Sequence, residues 1–204
     1  GSIQHILLSM AAEKLLGDAK ALDNIQMAMN HPDASAALLS KKDITGHFTS
    51  PPYLFTELMA DGIHQVMSGE DAFGGEFTFI FAVASEKFHD SHPTEYAAFI
   101  AAFNEAVAFI NNNPREAAKL LSEEYKLSTE KTLEYLTWDG TNYCTTPYGI
   151  IGFVDFMEEQ GYINRPLTDI SEIVFENVQA AIGKRWGDLS GIEKLQLRDK
   201  KQVK

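Results

Sequence analysis

Residues 25–53 read IQMAMNHPDASAALLSKKDITGHFTSPPY, and the fold class follows from how this stretch alternates. Ile25 to Met29 is a short apolar run of strand length. Asn30-His31-Pro32 then opens a helix predicted to reach Lys42, because proline is tolerated in a first helical turn. Ile44 to Thr49 is again strand-like, with Gly46 as its weak point, and Pro51-Pro52 stops it. Tyr53 to Ala60 forms a further short helix. Upstream, Ile3 to Leu16 sets Ile3, Leu7, Met10 and Ala11 on one helical face, widened by Leu8, Leu15 and Leu16. Gly17 ends that helix as a C-cap residue. A helix-strand-helix-strand-helix order at this spacing implies crossover connections, a parallel sheet and an α/β class.

The pattern changes between Gly62 and Gly75. A third strand is predicted to end at Val66, Gly69, Gly74 and Gly75 read as a loop, and Phe77 to Ala84 reads as a buried strand. A lobe boundary is placed there, dividing the chain into residues 1–66 and 67–204. The second part is helical. From Pro93, residues Tyr96, Phe99, Ile100, Phe103, Val107 and Ile110 recur at spacings of three and four. Asn113-Pro114-Arg115-Glu116 reads as an N-cap, a proline at the first helical position and a capping-box glutamate, with the helix running to about Tyr125. Ser128 caps another helix to about Trp138. Tyr148 to Gln160 forms the next, ended by Gly161. The charged tail from Asp188 is expected to fray.

Composition narrows the function. The chain has 204 residues, a formal net charge of -12, 45% hydrophobic residues and one cysteine. Such a balance is that of a globular protein and excludes a clamp on nucleic acid, which needs a concentrated positive face. It also argues against attraction to an anionic membrane surface. Cys144 alone cannot build a disulfide framework or a zinc-thiolate site. No run of about 18 apolar residues marks a membrane span. A signal peptide is not expected in this chain, and Gly1-Ser2 reads either as a cloning scar or as family sequence.

Catalytic signatures are missing: no phosphate loop, no nucleophile elbow, no zinc-binding H-E-x-x-H helix. The glycines at 69–75 precede a strand rather than a helix, so they aim no helix amides at a phosphate. His89 and His92 form an H-x-x-H, but Pro93 follows directly, which favours a loop entering a helix over a metal seat. Glu123-Glu124 and Glu158-Glu159 are neighbours about 100° apart on predicted helices, hence solvated rather than paired. Cys144 sits in a loop with no recognisable base. No catalytic residue, metal or cofactor is expected.

Ligands of open α/β sheets sit beyond the carboxyl ends of strands, where helix N-termini gather. Three such places can be read. The first holds Ser2, Gln4 and His5, the second Asn30 and His31, and the third Thr49, Ser50, Pro51 and Tyr53. Each offers free backbone N–H groups, and most add neutral polar side chains. Singly, Ser2, Asn30 and Ser50 are better explained as helix caps. Together on one rim they suit a small anion or polar organic ligand, with Tyr53 as an apolar wall.

On these residues the chain resembles the ABC-transporter periplasmic solute-binding proteins of the nitrate/sulfonate/taurine group, which includes binders of the thiamine-pyrimidine precursor. Gly1-Ser2-Ile3-Gln4-His5 and the helix after it resemble the opening of that family's second lobe. Ile44 to Tyr53 resembles its strand and proline-bearing turn at the cleft. Phe79 through Pro93 into Asn113-Pro114-Arg115-Glu116-Ala117-Ala118 resembles the return to the first lobe. Pro147-Tyr148-Gly149, Phe156-Met157 and Gly161-Tyr162-Ile163 resemble its exit. The resemblance spans residues 1–175 and begins mid-family, so the N-terminal part of the first lobe is expected to lie outside this sequence. It implies a type II periplasmic-binding-protein-like fold, here the second lobe plus the C-terminal helical part of the first. It also implies a solute held between lobes, an ABC permease as partner, a monomer, and a periplasmic or membrane-anchored extracytoplasmic location. A ligand-sensing or interaction domain, and an enzyme like the pyrimidine-precursor synthases on the same fold, are the alternatives. The synthases carry a cysteine-rich segment that this sequence lacks.

Overall fold

The computed structural model describes residues 2–165, 167 and 172–175. Gly1 and the tail from Asp188 lie outside the described residues. The first helix, α1 (Ile3–Leu16), keeps the bounds its periodicity dictates. The Ser2 hydroxyl accepts the His5 N–H at 3.3 Å. Gly17 closes the other end in the left-handed region, φ 77°, its N–H reaching the Glu13 carbonyl. The buried face is Ile6, Leu7, Met10 and Ala11, while Leu15 and Leu16 stand more than half exposed. The last turn of the helix thus runs past the core it helps to build.

After a 3-10 turn at Asp23–Ile25 come α2 (His31–Ser40) and α3 (Tyr53–Leu58). The glycine-rich stretch expected to be a loop contains α4 (Gly69–Phe73). Its start is fixed by a reciprocal box: the Ser68 hydroxyl accepts the Asp71 N–H at 2.9 Å, and the Asp71 carboxylate accepts the Ser68 N–H at 3.1 Å. Two donors that a helix end leaves orphaned are satisfied at once, which outweighs the helix cost of Gly69. Gly74, at φ 93°, then ends the helix.

Then follow α5 (Glu86–Ser91), α6 (Pro93–Asn112), α7 (Pro114–Tyr125), α8 (Thr129–Leu136) and α9 (Ile150–Glu159). His92 stands as the residue between α5 and α6, with no capping bond from its side chain, and Asn113 likewise starts α7 without one. Ser128 does cap α8, accepting the Lys131 N–H at 3.1 Å.

Two apolar clusters hold these helices. The first gathers Ile6, Leu7 and Met10 of α1, Phe73 of α4 and Phe156 of α9, with Phe77 and Phe153 against them. It therefore joins residues from either side of Val66. Gly149 brings α9 so close to the chain at Phe77 that a Cβ there would lie 2.8 Å from the Phe77 Cβ. The same junction is pinned by polar bonds: the Thr78 N–H donates to the Tyr148 carbonyl at 3.0 Å, and the Tyr148 N–H donates to the Thr78 hydroxyl at 2.9 Å. The second cluster packs Ala117, Ala118 and Leu136 of α7 and α8, with Ile110 of α6. Phe55 of α3 reaches these helices by stacking on Tyr135 of α8, ring centroids 3.9 Å apart.

The segments read as strands differ from expectation. Ile25 lies in the 3-10 turn, and 26–30, 44–50, 63–66 and 77–84 form no β-ladder among the described residues. The reason is physical. A strand has half its hydrogen-bonding groups to give away and exists only with a neighbour to take them. In 77–84 the side chains confirm the missing neighbour: Ile80 and Val83 are 79% and 89% exposed. No helix among the described residues is long and apolar enough to cross a membrane.

Candidate functional site

Four segments meet beside the start of α1. The Gln4 carboxamide nitrogen lies 3.2 Å from Nε2 of His31, at the start of α2. Nδ1 of His31 lies 3.1 Å from Nε2 of His47, in the connection between α2 and α3. Nδ1 of His47 lies 2.8 Å from the Glu57 carboxylate, on α3. Tyr53, one turn before Glu57 on α3, stacks its ring on His31 with centroids 5.7 Å apart. The result is a continuous line Gln4–His31–His47–Glu57 with an aromatic wall along one side.

Burial falls along that line. Glu57 is 3% exposed, whereas Gln4 and His31 are half-buried. A carboxylate that deep requires a hydrogen-bond partner, and His47 supplies it. The buried end is thus structural, and the accessible end is the part that can meet a ligand. His5 adds a second open valence. Its ring packs edge-on against Tyr162 at 5.9 Å, and its Nε2 is buried with no hydrogen-bond partner among the described residues.

Of the residues expected on the rim, Gln4, His31 and Tyr53 come together, from three separate segments. Ser2 and Asn30 act as caps: Asn30 accepts the Asp33 N–H at 3.1 Å and donates its amide to the Asp33 carboxylate at 2.6 Å. Thr49 turns its hydroxyl to the neighbouring Ser50 carbonyl at 3.4 Å, and that carbonyl also accepts the Leu54 N–H at 3.2 Å. The Ser50 side chain does not cap α3, whose N-cap is Pro52, and Pro51 is exposed. His47 and Glu57 were not singled out from sequence. Glu57 carried a signal all the same, since residues four apart on a helix share a face and Tyr53 is four before it. His47 carried none beyond its place before the double proline.

His89 lies within α5, a helix where the sequence was read as a loop, because the Ser85 hydroxyl caps it by accepting the Phe88 N–H. Nδ1 of His89 donates to the Asp90 carboxylate at 2.7 Å, and its ring lies on Phe175 at 4.1 Å. No group of three or more metal-ligating side chains converges among the described residues. Glu123, Glu124, Glu158 and Glu159 are exposed, as is Cys144. Histidine pairs can serve as metal ligands or bases, but here they are spent in line rather than aimed at a common point.

No family model matches the chain, and no solved structure matches it. It is similar to a protein of Bacillus subtilis (strain 168) named as an aliphatic sulfonates-binding protein. The two are 31% identical over 94 residues, which are 45% of this chain and 27% of that protein. The similarity takes in about a quarter of the relative's length.

Proposed function

We propose that this chain belongs to the solute-binding component of an ABC importer and takes an organic sulfonate or similar oxyanion. The gathering of Gln4, His31 and Tyr53 from three segments at the N-terminus of α1 carries this reading. The distant relative named for aliphatic sulfonates points to the same ligand chemistry. A helix N-terminus offers unpaired N–H groups and a positive dipole end to an oxyanion. The Tyr53 ring offers an apolar face to the carbon chain. In this reading the fold is the α/β, two-lobed arrangement that the sequence resembles, the location is extracytoplasmic, and a membrane permease receives the solute. Closure of one lobe on the other would trap it.

Calorimetric titration with ethanesulfonate, nitrate and a methylated aminopyrimidine tests this. Saturable binding of the sulfonate is expected. Binding of the pyrimidine alone, or of none of the three, overturns it. A thermal shift provides the check on occupancy, since ligand at about 100 times Kd adds about 2.7 kcal/mol.

A further inference from the structure

We infer that Glu57 and His47 are positioning residues for Gln4: the line they form fixes which way the Gln4 carboxamide faces, and so which hydrogen-bonding character the site presents. The inference rests on the sulfonate reading for its ligand, but not for its geometry.

The direction of the line follows from its buried end. An ionised carboxylate only accepts, so Glu57 must take the proton on Nδ1 of His47, 2.8 Å away. A protonated His47 ring would donate at both nitrogens and reverse the line, whereas in a neutral ring the single N–H is spent on Glu57, which leaves Nε2 as an acceptor. Nδ1 of His31, at 3.1 Å, must then donate to it. Nε2 of His31 is left as an acceptor in turn. The Gln4 side chain meets it with its nitrogen, at 3.2 Å, and so donates. Every donor points toward Glu57. The Gln4 oxygen is consequently turned away from the line, and it accepts no hydrogen bond within the described residues. The neighbours do not compete for these atoms. Asp33 of α2 is bonded to Asn30, Tyr53 of α3 meets His31 by ring stacking, and the His5 side chain of α1 faces Tyr162.

The accessible end of the line therefore presents an acceptor beside helix amides that are donors. That combination fits a sulfonate carrying a hydrogen-bond donor on its carbon chain better than one carrying only acceptors. Replacing the carboxylate by a carboxamide removes the direction, because an amide at position 57 can either accept from His47 or donate to it.

The test uses nitrogen-15 NMR of the histidine rings, without ligand, together with titrations of 2-aminoethanesulfonate and 2-methoxyethanesulfonate. In the wild-type chain at neutral pH, His31 and His47 are both expected as Nδ1–H tautomers with bare Nε2, the opposite of the form imidazole side chains prefer in water. In E57Q the Nε2–H forms are expected to appear, and the preference for the amino over the methoxy sulfonate is expected to fall roughly tenfold. An Nε2–H on either ring of the wild type overturns the inference. So does an unchanged preference in an E57Q chain whose tautomers have shifted. Should E57Q fail to fold, the wild-type ring nitrogens still decide it. If neither sulfonate binds, the proposed function falls, and the direction of the line stands or falls on the nitrogens alone.

Discussion

At the scale of single residues, burial and hydrogen bonding move two ionisable groups in opposite directions. The Tyr148 phenol is pushed up to about 12, chiefly by burial and against the help of the Asn142 amide, which donates to it at 3.4 Å. Folding thus favours the neutral phenol. Its contribution is fully present below the ordinary value of about 10 and is lost as the pH rises toward about 12. Tyr148→Phe keeps the ring and removes the proton. Melting temperatures followed from pH 9 to 12 are expected to fall less steeply in that variant than in the wild type. Parallel curves would show that the phenol does not report the folded junction between Thr78 and Tyr148. The Asp71 carboxyl moves the other way, held below its usual range by the Ser68 hydroxyl and backbone N–H. Its part in starting α4 is present at neutral pH and is lost as pH falls through its lowered value.

At the scale of elements, α3 is short and depends on what it packs against. Its six residues are fewer than an isolated helix needs to persist. Phe55 is 2% exposed and lies between Tyr135 at 3.9 Å and Trp138 at 4.5 Å. Phe55→Ala is expected to cost about 3–5 kcal/mol by lost burial and the cavity left behind. Denaturant unfolding measures it, and a cost below about 1 kcal/mol would mean that α8 does not hold α3 in place. Since Glu57 sits on the same helix, the line to Gln4 is anchored through this aromatic stack. The longer helices were legible in sequence because caps and three-four spacing are local signals, as Ser2, Gly17 and Ser128 illustrate, whereas the six-residue α5 was not. What was not legible depended on partners far along the chain. The line from Gln4 to Glu57 crosses from residue 4 to residue 57, and only Tyr53 and Glu57 share a helix face that spacing reveals. The α4 helix was misread because three glycines within seven residues signal a loop, and the Ser68-Asp71 box that starts the helix was not among the signals read.

At the scale of the whole molecule, apolar surface is distributed unevenly. The first cluster is dense, yet α6 buries only Tyr96 of its 20 residues, and Phe99, Phe103 and Phe109 are each more than a third exposed. The extended run after Thr78 shows the same imbalance, with Ile80, Phe81 and Val83 facing solvent. Residues of that kind in an extended chain are strand-formers without a ladder. In the two-lobed reading they become strands when neighbouring strands pair with them, which would reconcile the apolar runs of the sequence with their exposure in this chain. Amide hydrogen exchange separates the two conditions. In the 204-residue chain alone, the amides of 79–84 are expected to exchange at nearly unprotected rates, while those within α1 and α9 are slowed by their core. In a two-lobed protein containing this sequence, the same six amides are expected to slow by at least about a hundredfold, alternating along the segment as one edge pairs and then the other. Uniformly fast exchange there in the longer protein would remove the sheet from the reading. The cleft would then have to be built by helices and connections alone, with the Gln4–Glu57 line as a polar wall.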